Sequence, residues 1–364
     1  MNETIHPPTS KPVYGLPHND KEFERLDLQH EAVKLAFEGL NVCDEQVDKI
    51  LEASDNQKSV LDVGSGSGAW CIDMAERYPH VHVLGIDIKP QHRSNVPSNY
   101  LSEICDVNDG LEKFYGQFDL VHTRFTAGVF SDPQAALIEM ERCLKPGGLL
   151  IIISASFLIS EDRKTMYPLY TQANPQGSWF QRSAIGGFPG VKKLGVDPRL
   201  LEREIDKGLW NHELLDPSSC TAALITPPIG PWATPKPSRS SATQESRGIL
   251  EDNILIVHHH WERVYEASGR SRAEWELTVK NVDEELRESR HHGAMRIRAL
   301  WGRAKGFHGS FSKTLTPEKP DGSFQVLSIY DFEHEWVRLS EECQATITPE
   351  MHSFLDVPNF DAIL

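Results

Sequence analysis

The stretch that decides the fold is Val60-Leu-Asp62-Val-Gly64-Ser-Gly66-Ser-Gly68-Ala-Trp70. Val60 to Val63 is a short apolar run interrupted by one acid. It ends on three alternate glycines that lead into a helical stretch, Ala69 to Tyr78, closed by Pro79. Glycine lets the backbone turn tightly and lets a ligand approach it closely, and a helix start presents free N–H groups. A strand, a glycine loop and a helix start in that order make a ligand cradle.

Outward from this unit the chain alternates strand and helix. Val81 to Ile86 alternates as a strand and ends in Asp87. Tyr100 to Cys105 is a weaker strand ending in Asp106, and Phe118 to His122 is a fourth. Asp132-Pro133 caps a helix whose Ala136, Leu137, Met140 and Leu144 form one apolar face, and Lys145-Pro-Gly-Gly148 stops it. Leu149 to Ile153 suits a strand buried on both faces. The repetition predicts an α/β fold: a Rossmann-like, seven-stranded sheet with helices on both sides and a helical cap inserted. Ligands of such sheets sit beyond the carboxyl ends of the strands, where the glycines, Asp87, Asp106 and Thr123 all fall.

The flanks divide the chain. Residues 1–45 read as an extended arm followed by a helix from Glu22, with Leu26, Val33, Phe37 and Leu40 at helical spacing. Residues 46–158 form the ligand-binding core, and 159–212 a cap or substrate region rich in Tyr, Trp, Phe, Pro and Gly, closing with a helix over Leu201 to Trp210. Residues 213–305 complete the sheet through Thr221 to Ile225 and Met295 to Trp301, with helices inserted over 236–292. One of these runs from Leu250 to Val264. The other opens on a capping box, Ser271 to Glu274, ahead of Trp275, Val279, Val282 and Leu286. Thr234 to Ser246 is a Pro/Ser-rich linker, and 306–364 is a tail with one strand-like stretch, Phe324 to Ile329.

Composition narrows the partners. A net charge of −16 opposes a nucleic-acid surface, which needs clustered Lys and Arg. A small neutral or cationic substrate, or a basic protein partner, suits it better. The N-terminus lacks the basic and apolar regions of a secretory signal, and the longest apolar run, Leu149 to Ile159, is too short to span a bilayer. A soluble chain of the cytoplasm or nucleus, with no membrane partner, is expected. Six scattered cysteines without a CxxC pair suggest reduced thiols and no zinc knuckle.

Two ligands compete for the glycine loop. Gly64-x-Gly66-x-x-Ala69 satisfies the permissive dinucleotide fingerprint, with Asp87 near the offset of a ribose-binding acid, so an NAD(P)-dependent oxidoreductase is one reading. Asp62, two residues before the first glycine, favours the other, because from there it could reach, directly or through water, a cationic aminoacid group that a pyrophosphate lacks. Asp106, placed to accept from an adenine amino group, and Lys145-Pro-Gly-Gly148 ahead of a fifth strand point the same way.

Val60 to Trp70, Gly85-Ile-Asp87, Cys105-Asp106, Phe118-Asp-Leu-Val-His-Thr-Arg124 and Leu144-Lys-Pro-Gly-Gly148 resemble the successive motifs of class I S-adenosylmethionine-dependent methyltransferases. More narrowly, Glu24-Arg-Leu-Asp-Leu-Gln-His30 and Pro228-Ile-Gly-Pro-Trp232 resemble the fungal LaeA-like group associated with secondary metabolism. The resemblance runs from about Pro12 to Lys305, is loose over 160–200 and leaves the tail unexplained. It implies S-adenosylmethionine as cofactor, with Asp62, Gly64, Ser65, Gly66 and Gly68 around the methionine moiety. Asp87, with Ile88 beside it, would take the ribose hydroxyls, and Asp106 and Val107 the adenine. Tyr14, Arg25, Thr123 and Arg124 are further contacts.

Metal-independent methylation of O, N or C on a small secondary metabolite is the expected reaction, and a LaeA-like regulator acting through protein partners is the alternative. Trp179, Phe180 and Trp232 are candidates for the substrate pocket, and His122 and His212 for a general base. No metal site is expected. His258-His-His260 cannot converge on one ion from consecutive helical positions, and His122-Thr-Arg-Phe125 stands where catechol-type enzymes carry acidic ligands. Thr226-Pro-Pro-Ile229 resembles the Asn/Asp-Pro-Pro-aromatic motif of amino-group methylating enzymes only faintly and reads as a turn.

Overall fold

The computed structural model describes residues 19–37, 39–89, 93–126, 128–159, 168, 170–196, 200–201, 204–205, 208–225, 227, 229 and 261–306, together with 325–327 and 334–336. Tyr14, Trp232, the linker and the part of the expected helix before residue 261 lie outside them.

Seven strands form one sheet: β1 (Lys58–Val63), β2 (Val81–Asp87), β3 (Tyr100–Ile104), β4 (Phe118–Arg124), β5 (Leu144–Ile159), β6 (Thr221–Ile225) and β7 (Ala294–Arg303). Their order is β3-β2-β1-β4-β5-β7-β6, parallel from β3 to β5, with β7 antiparallel to both its neighbours. Alternation across the pleat divides the core. Val60, Leu120 and Ile151 meet α1 (Asp20–Phe37), α2 (Asp44–Ile50) and α3 (Ala69–Arg77) on one face through Val33, Val47, Trp70 and Met74. Leu61, Val121 and Leu150 meet α4 (Pro133–Cys143) on the other through Leu137 and Met140. The central strands are therefore buried on both faces, which is why their sequences are apolar runs.

The chain winds outward from β1 to β3 and then returns to β4 on the other side of β1. That reversal opens a crevice at the carboxyl ends of β1 and β4, where open α/β sheets bind ligands. The segment Lys145-Pro-Gly-Gly148 follows α4 and lies in the first part of β5. Leu144 already pairs with Phe118, and the register shifts before Leu149 joins Leu120. Asp132 caps α4 as expected, its carboxylate accepting from the Ala135 N–H at 3.0 Å.

The cap region holds helices that its sequence concealed. Residues 179–193 form α5 (Trp179–Gly186) and α6 (Phe188–Lys193), which pack on α7 (Glu262–Ala267) and α8 (Arg272–Arg287). Gly186, Gly187, Pro189 and Gly190 break the periodicity, yet Gly190 is needed. A Cβ there would lie 1.9 Å from the Val264 carbonyl oxygen, so the α6–α7 crossing admits only glycine. Of the helix expected over Leu201 to Trp210, the described residues 200–201 and 204–205 are helical. The capping box of α8 forms as expected, with Ser271 and Glu274 bonded in both directions. In the tail, Gln325–Leu327 pairs antiparallel with His334–Trp336.

Glu285 of α8 fastens the cap. Its carboxylate, 3% exposed, accepts from the Ser178 hydroxyl at 2.6 Å and the Trp179 N–H at 2.5 Å, capping α5 from a different helix. Burial pushes this carboxyl up from its ordinary range, against the pull of those hydrogen bonds. Glu285→Ala would leave both donors buried without an acceptor, at a cost of about 2 kcal/mol. A thermal melt should show the midpoint falling by roughly 4 °C, and an unchanged midpoint would remove Glu285 from this role.

Candidate active site

The glycine loop owes its shape to backbone conformations that side chains resist. Gly64, Gly66 and Gly68 have φ of +75°, +55° and +76°. A Cβ on Gly64 would stand 2.5 Å from the Thr126 methyl, and one on Gly66 would stand 3.1 Å from Leu26 of α1. The Gly64 and Ser65 N–H groups donate to the Ile86 carbonyl at 2.9 and 3.0 Å, tying the loop to β2. Asp87 then closes it, since one carboxylate oxygen accepts from the Gly66 N–H at 2.9 Å and the other from the Lys89 N–H at 3.1 Å. Burial pushes the Asp87 carboxyl up while these N–H groups pull it back. Ile88 follows, half-buried.

Asp62 lies under the loop, opposite His122 in the β1–β4 register and 4% exposed. Burial holds the His122 imidazole below its ordinary pKa, so it is neutral at pH 7 and donates from Nδ1 to Asp62 Oδ1 at 2.7 Å. The Cys71 thiol donates to the second oxygen at 3.3 Å. Trp70 stacks on the His122 ring with centroids 3.9 Å apart, and its own N–H donates to Asn41 at 3.1 Å. His122 Nε2 is buried and has no hydrogen-bond partner among the described residues.

Two strand positions further, Arg124 leaves β4 toward α1. Its Nη2 donates to His30 Nδ1 at 3.0 Å, and His30 Nε2 lies 3.0 Å from Asp73 of α3. Nη1 is buried without a partner among the described residues. Burial pulls the guanidinium down to about 10, and it remains charged at pH 7. His30, Glu31 and Asp73 approach one another closely enough to surround a cation, but the Lys34 ammonium already lies 2.7 Å from Asp73 and 3.1 Å from Glu31.

The remaining expected residues separate into three groups. Asp106 caps a short turn, accepting from the Asn108 N–H at 2.9 Å, beside buried Val107; Asn108 in turn binds Val129 and Ser131, bringing the 128–131 loop to this edge. Thr123, 0% exposed, donates to the Val63 carbonyl at 2.9 Å and receives the Thr126 hydroxyl, so its oxygen is committed between strand ends. Arg25 is buried in α1 against Glu22 at 2.7 Å. In the cap, Trp179 stacks on Tyr170 at 4.0 Å, while Phe180 packs with Ala32 of α1, joining cap to core.

His212, expected as a candidate general base, lies away from this site. It pairs with buried Glu141 near the end of α4, in a segment where the Asp216 N–H donates to Arg303 and Leu215 bridges to Ala304. Arg303 lies opposite Leu149, at the amino end of β5's apolar run, so His212 sits at the opposite end of the sheet from the glycine loop. Its nearness in sequence to β6 suggested the wrong end, because β6 runs antiparallel to β7 and starts far from the crevice. The residues that sequence reading passed over are Asn41, Cys71 and His30. Only His30 carried a signal, as the last residue of Glu24-Arg-Leu-Asp-Leu-Gln-His30.

Residues 36–187, which include the glycine loop and all three strand-end acids, match the family model described as a methyltransferase domain. Residues 36–187 therefore form a methyltransferase domain, and the chain is similar to several LaeA-like proteins. It is 30% identical over 192 residues to the secondary metabolism regulator laeA of Coprinopsis cinerea, covering 51% of this chain and 46% of that protein. To the regulator of the same name from Monascus pilosus it is 32% identical over 254 residues, covering 66% and 60%. To the N-methyltransferase verN of Clonostachys rogersoniana it is 32% identical over 186 residues, covering 48% and 61%. The chain thus spans about half to three-fifths of these relatives' lengths.

The methyltransferase domain decides between the two ligands of the loop in favour of S-adenosylmethionine, and the residues present fit it. The positive φ angles of Gly64, Gly66 and Gly68 give the loop its tight turns, and carboxylates stand at or just beyond the ends of β1, β2 and β3. No helix of the described residues is long and apolar enough to cross a membrane.

Proposed function

We propose that this chain methylates a small-molecule acceptor of secondary metabolism, using S-adenosylmethionine held over the glycine loop. The observation that carries this reading is the set of three acids, Asp62, Asp87 and Asp106, spaced across adjacent strand ends around one cradle. Asp62 would meet the ammonium of the methionine moiety and Arg124, through its unpartnered Nη1, the carboxylate. Asp87 would take the ribose hydroxyls, and Asp106 with Val107 the adenine. His122 is a positioning residue in this scheme, because it is stacked beneath Trp70 and spends its N–H on Asp62. Trp179 and Phe180 belong to the acceptor's side of the site.

S-adenosylmethionine supplies a methyl group on a sulfonium whose leaving group is neutral, so the protein's task is to align acceptor and donor at near-attack distance. Such alignment requires neither a Lewis acid nor an obligate proton transfer when the acceptor is already nucleophilic at its working pH. Activity should therefore survive EDTA. Complete loss on chelation, restored by Mg²⁺, would overturn the metal-independent scheme.

A second reading is favoured by the relatives described as regulators: the chain acts through a protein partner. The net charge of −16 suits a basic one. Methyl transfer to a panel of phenols, amines and terpenoids, run beside a partner pull-down, separates the two. Turnover on any of them supports the enzyme. Donor binding without turnover, together with a stable protein complex, supports the regulator.

A further inference from the structure

His30 reaches across from α1 to join β4 and α3, and its two nitrogens do different work. Arg124 Nη2 can only donate, so His30 Nδ1 must accept; the proton of the neutral ring is then on Nε2, facing the Asp73 carboxylate. The ring is 2% exposed, and its tautomer follows from these partners alone. Nη2 is tethered in this way, and Nη1 is the buried nitrogen left without a partner among the described residues.

We infer that His30 is a positioning residue for donor binding: as a neutral acceptor it holds Arg124 so that Nη1 faces the carboxylate of S-adenosylmethionine. The inference rests on the donor-site reading above and adds to it a protonation state on which binding depends. The groups facing His30 are Arg124 from β4, Asp73 from α3 and Lys34 with Glu31 from its own helix; Asp62, Cys71 and His122 lie around Arg124. Burial lowers the His30 pKa, the Asp73 hydrogen bond raises it, and the Arg124 charge lowers it further, with a net shift below the ordinary 6.5.

The sign follows. The contribution of neutral His30 is complete above pH 6.5 and is lost as pH falls through the folded-state value. A proton on Nδ1 turns the acceptor into a donor facing another donor, and Arg124 swings away. The same loss should loosen α1, whose Leu26 covers the loop at Gly66.

The test is calorimetric titration of the whole chain with S-adenosylhomocysteine between about pH 7.5 and pH 5. Wild type should bind at pH 7.5 and weaken on acidification. His30→Ala should bind about tenfold more weakly at pH 7.5, one hydrogen-bonded contact's worth of orientation. His30→Asn keeps an acceptor near Nδ1 but does not titrate, so it should stay within about threefold of wild type at pH 7.5 and lose most of the acid limb.

An acid limb unchanged in His30→Asn would assign the titration elsewhere, to Asp87 or His122, and overturn the inference. Wild-type affinity in folded His30→Ala would overturn it too. Absence of binding by wild type at any pH would instead sink the donor-site reading itself. Should His30→Ala fail to fold, the pH profile of His30→Asn still decides.

Discussion

Asp87→Ala is expected to weaken S-adenosylhomocysteine binding by well over tenfold while leaving the sheet folded. The carboxylate would serve two partners at once. Toward the donor it offers acceptors to two ribose hydroxyls, charge-assisted bonds worth roughly 1.5 to 3 kcal/mol each before desolvation. Toward the protein it already accepts from the Gly66 and Lys89 N–H groups. Removing it withdraws a ligand contact and releases the middle glycine of the loop, and each 1.4 kcal/mol lost is a further factor of ten. The residue is the last of β2 and outside both apolar clusters, so the fold should hold. Asp87→Asn separates the two roles, because it keeps one oxygen and turns the other into a donor. If the amide retains thermal stability but not affinity, the ribose contact dominates. Affinity within twofold of wild type in a folded Asp87→Ala would mean that the cofactor's ribose lies elsewhere.

The sheet was legible because burial on both faces leaves a coarse imprint. Runs such as Val60 to Val63 and Val81 to Ile86, followed by a glycine cluster and by an acid, mark strands and their ends without any knowledge of partners. The strand-end acids were legible for the same reason: an acid beside a buried run has few structural uses. What stayed hidden depends on pairs distant in sequence. His122 is 60 residues from Asp62, and Arg124 is 94 from His30. No periodicity connects them; the parallel register of β1 with β4 makes the first pair and the passage of α1 over the sheet makes the second. His212 was misplaced because a sequence shows that a strand is near but not which end of it. The helices α5 and α6 escaped notice because Gly187 and Gly190, which interrupt the pattern, serve close contacts with α7 and the Trp261 before it.

Gly64→Ala is expected to be the most destabilising single substitution in the loop. At φ +75° a Cβ costs about 1–2 kcal/mol against the carbonyl that follows it. The new methyl would also stand 2.5 Å from the Thr126 methyl, a contact that must be relieved by moving the 125–126 turn, for about another 1–3 kcal/mol. Thr126 cannot simply rotate away. Its hydroxyl donates to Thr123, which spends its own proton on the Val63 carbonyl at the end of β1. Gly64→Ala should therefore lower the melting midpoint by roughly 4–10 °C. Thr126→Ser deletes the obstructing methyl and keeps the hydroxyl. Combined with Gly64→Ala it should restore about half of the loss, the part due to collision, while the part due to backbone strain remains. Alone it should cost under about 1 kcal/mol. A double mutant no more stable than Gly64→Ala would show that backbone strain accounts for the whole effect. Full restoration would show that the left-handed turn at Gly64 costs nothing, and that its glycine serves only to clear Thr126.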